Sequence, residues 1–296
     1  YAEPDAWIPT ELAPFLSKGK EPRIYDGIKG EKLRTVKLRG QVSQGLLFPL
    51  SVLGERHEIF PIGDGCIGTD VSADLGIVKY DPPVPAELAG EMKGNFPSRI
   101  PKTDQERIQN LSVELDIWRD KEFTWEVTEK LEGSSMTVYL IDGDFGVCSR
   151  NMDLKRNLNN TFWKVADQLK LEEKLISNGK NLAVQGELVG EGIQGNIYSL
   201  KGHHFYVYDI YDIDLSRYYT PAERKEFVSK WNIPHVPVYT TNATLGTMNE
   251  ILSHADGKSV MGDINGPNRE GEVYKCNECE ASFKAISNLY LLKSKD

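Results

Sequence analysis

The chain has 296 residues, 40% hydrophobic and 27% charged, enough to bury the core of two domains or one large one. A formal net charge of −9 speaks against a protein that coats nucleic acid with its whole surface, but not against a local basic groove. No apolar run approaches the ~20 residues that cross a bilayer, and the opening YAEPDAWIPTELAPF lacks the regions of a signal peptide, so no membrane partner is expected.

The first ~95 residues carry short strand patterns broken by turns. In EKLRTVKLRGQVSQGLLFPL, Leu33, Val36, Leu38 and Val42 alternate with polar residues, and turns follow at Gly63–Gly65 and near Gly76. This predicts a small β-barrel. Lys32, Arg34, Lys37 and Arg39 lie along it as a possible phosphate-tracking face, or equally as a solvated strand face. The next stretch holds Pro82, Pro83, Pro85, Pro97 and Pro101 without periodicity and reads as a linker, which places a domain boundary near residue 97.

Beyond it, helices and strands mix. Thr103 with Glu106 forms a capping-box pattern opening DQERIQNL. FTWEV and SSMTVYLI predict strands on either side of Lys130-Leu131-Glu132-Gly133, where a lysine at a strand end precedes a glycine turn. Alone, that tetrapeptide is more often a surface lysine than a nucleophile. NTFWKVADQLKLEEKL carries Phe162, Val165, Ala166 and Leu169 at helical spacing. NLAVQGEL and HFYVYDIYDI predict strands.

Between them, Gly190-Glu-Gly192-Ile-Gln-Gly195 matches GxGxxG. The NIYSLKGHH that follows does not open the helix a dinucleotide site needs. His203 and His204 are expected in a loop and not on a metal, since neighbours on a strand face opposite ways. Thr220-Pro221 with Glu223, and Thr247 with Glu250, cap two further helices. GEVYK and SFKAI close the chain as strands. Cys276 and Cys279 form a CxxC without a second pair, which favours a turn with two thiols over a zinc site. With Cys66 and Cys148 there are four cysteines, few and irregular, as in a reducing intracellular compartment. The pattern is α+β.

KLEG is followed in order by Ser149-Arg150-Asn151, Gln185-Gly186-Glu187, FYVYD from Phe205, EGEVYK from Glu270, and Phe283-Lys284-Ala285. This ordered series resembles the motifs of the covalent nucleotidyltransferases: polynucleotide ligases and mRNA capping enzymes. FPSRIPKTDQERIQNL, ahead of the lysine, is similar to the RNA ligase 2 branch. The β-rich start resembles the OB module that precedes the catalytic domain in Deinococcus and Naegleria RNA ligases. The resemblance spans nearly all of the chain. It implies an OB-like barrel over residues 1–97 and an adenylyltransferase domain of antiparallel sheets with flanking helices over 98–296.

By the same resemblance, Lys130 attacks ATP to form lysyl-AMP. Glu129, Arg150, Glu187, Phe205, Glu270, Lys275 and Lys284 contact the nucleotide: Phe205 stacks on adenine, Glu129 reads its edge and Lys275 and Lys284 meet phosphates. Glu132, Glu187 and Glu270 hold a hydrated Mg²⁺ or Mn²⁺, ions that favour oxygen ligands and retained waters. A nearby cation or the ion is expected to lower the lysine pKa from ~10.4. Two positions depart from the family pattern. Ile286 stands where a second lysine is common, and Glu272 puts an acid where an apolar residue is usual.

The expected activity is ATP-dependent RNA sealing of a nicked RNA-containing duplex by a monomer. A DNA ligase or GTP-using capping enzyme is the nearer rival, and a non-catalytic nucleic-acid-binding protein with a degenerate ligase fold the more distant one.

Overall fold

The computed structural model describes residue 2 and residues 6–38, 41–43, 45–58, 69–80, 90–261 and 266–293. The turn at Gly63–Gly65, Arg39, Cys66, Pro82, Pro83 and Pro85 lie outside the described residues. The chain forms two compact units, residues 1–83 and 84–296.

In the first unit, β1 (Ala6–Pro9), β2 (Arg23–Tyr25), β3 (Ile28–Lys32) and β6 (Val78–Lys79) make an antiparallel sheet in the order β2-β3-β1-β6. A hairpin of β4 (Val36–Leu38) and β5 (Gln41–Ser43) stands apart from it. Ala6, Ile8, Ala13 and Leu33 form the core on one face, with Leu12, Leu16, Leu46 and Phe48 against it. Among the described residues no sheet of this unit closes on itself.

The second unit holds two antiparallel sheets. The larger runs β14-β13-β12-β9-β10-β11-β7, built from β7 (Met92–Asn95), β9 (Ser134–Ile141), β10 (Asp144–Cys148), β11 (Met152–Leu154), β12 (Leu182–Gly190), β13 (His203–Asp212) and β14 (Arg217–Tyr218). The smaller runs β15-β8-β16-β17, from β8 (Thr124–Lys130), β15 (Val238–Thr244), β16 (Gly271–Cys276) and β17 (Ser282–Ile286). The expected α+β class with antiparallel sheets and flanking helices is what the structure has.

The stretch read as a linker supplies β7, whose Met92, Gly94 and Asn95 pair with β11. The unit boundary lies at 83/84, upstream of the expected 97. Thr103 caps no helix. Its hydroxyl accepts from Tyr208 at 3.0 Å, and α1 (Ser112–Asp120) forms later. The helix expected over 160–175 is two: α2 (Thr161–Gln168) and α3 (Leu171–Asn178), broken at Lys170, whose φ of 52° no continuous helix accommodates. The boxes at Thr220 and Thr247 do open α4 (Pro221–Trp231) and α5 (Met248–Ala255), each with both reciprocal bonds formed. Residues 288–293 form a short α6.

The main core fills one face of the large sheet with Val138, Leu140, Val184, Leu188, Phe205 and Val207 against Trp163, Leu175 and Phe227 of the helices. Trp125, Val127, Tyr274 and Phe283 make a second core behind the small sheet. Packing both sheets on their back faces leaves their front faces to build a site.

Candidate active site

Successive residues of a strand face opposite ways. On β8, Trp125 and Val127 point into the rear core, so Glu126, Thr128 and Lys130 point to the front. Register then assigns the neighbours: Gly271 opposes Lys130 and Val273 opposes Thr128 on β16, while Lys284 opposes Val273 on β17. Lys130, Lys275 and Lys284 thus share one face. On the large sheet, Leu188 and Val184 of β12 enter the core, which turns Glu187 and its cross-strand partner Tyr206 to the front.

Lys130 Nζ donates to Glu270 Oε1 at 2.5 Å, with side-chain exposures of 27% and 17%. Burial pushes the amine's pKa down, but the charges of Glu270 and Glu187 outweigh it. The net shift is upward, against the lowering expected from cations, although Arg107 does oppose it. Glu187 moves up to about 8. Burial is the main cause, Glu270 adds to it, and Lys130 and Arg150 pull the other way. Lys130, Glu187 and Glu270 are therefore one electrostatic unit, with Arg150 and Arg107 at its edge. Arg150 Nη2 also meets Asp104 at 3.1 Å. Arg107, which the residue-by-residue reading did not single out, lies in the FPSRIPKTDQERIQNL segment and bridges to Lys284 along the backbone. Nothing in its local pattern sets it apart from a surface arginine.

The KLEG turn is fixed from two sides. The Glu132 N–H donates to the Tyr198 hydroxyl at 2.7 Å, and Leu131 is buried with Val189, Tyr198 and Val236. A Cβ at Gly133 would stand 2.4 Å from the Leu188 carbonyl oxygen, so only glycine lets the turn lie this close to β12. Tyr198 belongs to the turn-rich segment after Gly190, which opens no helix. His203 and His204 bond the backbone oxygens of Glu191 and Lys201, each at 2.8 Å.

Three of the residues expected to contact the nucleotide are buried among protein groups. Phe205 is 0% exposed in the main core, behind the sheet that carries Glu187. A Cβ at Gly186 would meet its ring at 2.5 Å. A ring so enclosed offers no face to a ligand. Glu129 points to the rear of β8, where Tyr239 Oη and Ser259 Oγ donate to it at 2.7 and 2.5 Å and Val260 N at 3.0 Å. Lys275 shares the front face but is only 7% exposed, ion-paired with Asp209 and donating to the Tyr208 carbonyl at 2.8 Å. Burial, helped by Arg224, holds its pKa down at about 8 against the pull of Asp209.

Around Lys275 a buried network joins β8, β13, β16 and α4. Arg224 is paired with Glu126, both side chains being 0% exposed, and Lys225 reaches the same carboxylate at 3.2 Å. Arg224 Nε donates to His235 Nε2 at 2.9 Å, and His235 Nδ1 is 2.6 Å from the Val236 oxygen, a pairing that fixes a neutral imidazole. Burial and the Arg224 charge push the His235 pKa down to about 4. A cavity of about 510 Å³ opens beside this network, lined by Lys102, Asp104, Thr220 and Lys275 but by none of Lys130, Glu187 and Glu270.

The acid at Glu272 is compensated where it stands: Tyr274 Oη donates at 3.0 Å, and His254 and Arg269 lie at 2.8 and 2.9 Å. Ile286 is buried at 4% and supplies no charge. Cys276 and Cys279 are free thiols on the β16–β17 hairpin, the first buried and the second exposed.

Among the described residues, no three His, Cys, Asp or Glu side chains converge to clasp a metal ion, so Glu132, Glu187 and Glu270 do not form a direct chelate. Two carboxylates facing an amine still suit a hard cation that keeps most of its water.

A family model described as RNA ligase matches residues 123–286. Solved structures of Naegleria gruberi RNA ligase are similar over nearly the whole chain. A glutamate-to-alanine variant with AMP and manganese shows 43% identity and a TM-score of 0.87, covering 99% of this chain and 85% of that one. A second such variant, with ATP and manganese, shows 44% identity and a TM-score of 0.85 over 99% and 86%. The ligase with pyrophosphate shows 43% identity and a TM-score of 0.82 over 98% and 84%. No curated protein matches the chain.

Proposed function

The chain belongs to the RNA ligase family and is an ATP-dependent RNA ligase, and from that premise we propose that Lys130 is the nucleophile and carries AMP between ATP and RNA. The observation that supports this most is the Lys130 amine held 2.5 Å from Glu270, with Glu187 facing both.

The amine must lose its proton before it attacks the α-phosphorus of ATP. The new N–P bond expels pyrophosphate and leaves lysyl-AMP. AMP then passes to an RNA 5′-phosphate, and a 3′-hydroxyl displaces it to close the phosphodiester. Glu270 aims the amine, and Glu187 and Glu270 would hold a hydrated Mn²⁺ or Mg²⁺. Such an ion supplies positive charge that offsets the carboxylates around the amine. Arg150, Arg107 and Lys284 would neutralise phosphate charge. Tyr206, beside Glu187, replaces Phe205 as the ring available to adenine.

The first unit acts as an OB-like module for polynucleotide, and the substrate is a nick in an RNA-containing duplex sealed by a monomeric, intracellular enzyme. Incubation with α-labelled ATP and manganese is expected to label the protein on Lys130, as mapped by peptide mass spectrometry, while labelled GTP does not. Label on another residue, or none, sinks the assignment.

A further inference from the structure

The sheet of the first unit has a second face that the transfer of AMP leaves without a role. Ala6 and Ile8 enter its aliphatic core, so Trp7 points the other way. Register places Lys32 and Val78 opposite Trp7, Arg23 opposite Gly30, and Tyr25 opposite Ile28, all on that face. Tyr80, two residues beyond Val78, joins them.

The three rings pack as one cluster. Trp7 lies 5.5 Å from Tyr80, nearly parallel at 17°, and 5.3 Å from Tyr25, while Tyr25 and Tyr80 are 4.8 Å apart. The indole sits flat because residue 30 is glycine: a Cβ there would stand 2.7 Å from Trp7 Nε1. That N–H donates to the Ile28 carbonyl at 3.0 Å, which locks the ring. Trp7 is 1% exposed, whereas Tyr25 and Tyr80 are partly open. Cations lie on the rings: Arg23 is 5.4 Å from the Trp7 centroid and Lys32 5.3 Å from that of Tyr80. Residues 6–38 hold seven Lys and Arg against four Asp and Glu, in a chain whose net charge is −9.

A face that served only to bury apolar surface would have no use for charged groups lying on its rings. Rigid rings interleaved with guanidinium and ammonium groups instead match what an unpaired nucleotide presents, a flat π-face beside a phosphate. A duplex keeps its base faces stacked inside and offers the rings nothing. We propose that the Trp7–Tyr25–Tyr80 face binds single-stranded RNA, stacking its bases on Tyr25 and Tyr80 while Arg23 and Lys32 meet its phosphates. The inference rests on the RNA ligase reading and adds that the enzyme holds an unpaired stretch of its substrate.

The test measures binding of the full chain to a fluorescein-labelled RNA strand of about twelve nucleotides, a base-less strand of equal length, and a blunt duplex. The parent should prefer the RNA strand to the base-less one by about tenfold or more, the scale of one or two stacked bases. Tyr25→Leu with Tyr80→Leu should abolish that preference, and Tyr25→Phe with Tyr80→Phe should keep it. Arg23→Gln with Lys32→Gln should weaken RNA and base-less strands alike and flatten the salt dependence.

A photocrosslink from 5-iodouridine in the RNA needs no variant and should map to the Tyr25 or Tyr80 peptide. Equal binding of RNA and base-less strands by the parent, or crosslinks confined to other peptides, overturns the proposal. So does a duplex that competes fully with the single strand. Labelling of Lys130 by ATP uses no RNA, so failure here leaves the nucleophile assignment standing, and failure there leaves this one.

Discussion

Lys130, at the end of β8, and Glu270, just ahead of β16, meet at 2.5 Å, and Glu270 helps hold the amine protonated when the pocket contains only protein. The contact that would aim the proposed nucleophile also opposes its deprotonation. Glu270→Gln keeps the shape of the contact and removes the charge, so the Lys130 amine should titrate at lower pH than in the parent. The check is the pH dependence of its reaction with an amine-acylating reagent without metal, read at Lys130 by mass spectrometry. Transfer of AMP from ATP should fall by about 100-fold or more, the scale of a preorganised charge at a reacting centre. An unchanged titration curve removes Glu270 from control of the amine.

Glu187 carries a sign that stability measurements can read. Its folded pKa, raised to about 8, lies above the unfolded carboxyl value of ~4.3. Between these limits the folded chain holds a proton the unfolded chain has released, so stability falls as pH rises from about 4 to about 8. Glu187→Gln cannot titrate. Without metal, the thermal midpoint of the variant relative to the parent should therefore be higher at pH 8 than at pH 5. Parallel curves would mean that the carboxyl is not desolvated as the fold implies.

Phe205 and Tyr206 are adjacent on β13 and face opposite ways, so their substitutions should separate stability from binding. Phe205→Ala empties a fully buried site and should cost about 3 to 5 kcal/mol in chemical denaturation. Tyr206→Ala should leave the denaturation midpoint close to that of the parent and weaken ATP binding, seen as a raised KM in labelling. Reversal of the two effects would return the adenine contact to Phe205.

The strands that form the site were legible because their alternation is strong: β9, β12, β13, β16 and β17 lie where their patterns place them. So were α4 and α5, whose capping boxes are local. What failed depended on distance in sequence. Thr103 and Glu106 spell the same box, but the Thr103 hydroxyl bonds Tyr208, 105 residues away. In FYVY both alternating sets are apolar or aromatic, so period two cannot say which faces the core, and Phe205, expected on adenine, lies in the core. A lysine in a strand carries no sign that it is buried, which is why Lys275 read as a phosphate contact and not as the partner of Asp209. β7 hid among glycines and prolines because its pairing strand lies some sixty residues on.

The Arg224–Glu126–Asp209–Lys275 network has a mechanical meaning. It ties β8 and β16 of the small sheet to β13 of the large one at one end of β8, and the KLEG turn, packed on β12 and held by Tyr198, ties the sheets again at the Lys130 end. Lys130 lies four residues from Glu126 along β8, about 13 Å at the usual rise of a strand. A strand clamped over that span resists tilting as a whole, which matters because a displacement of about 1 Å between reacting atoms can alter a rate about 100-fold. The network is thus one of two clamps on the strand that carries the amine: Arg224, a side chain outside the Lys130–Glu187–Glu270 cluster, helps set where Lys130 stands.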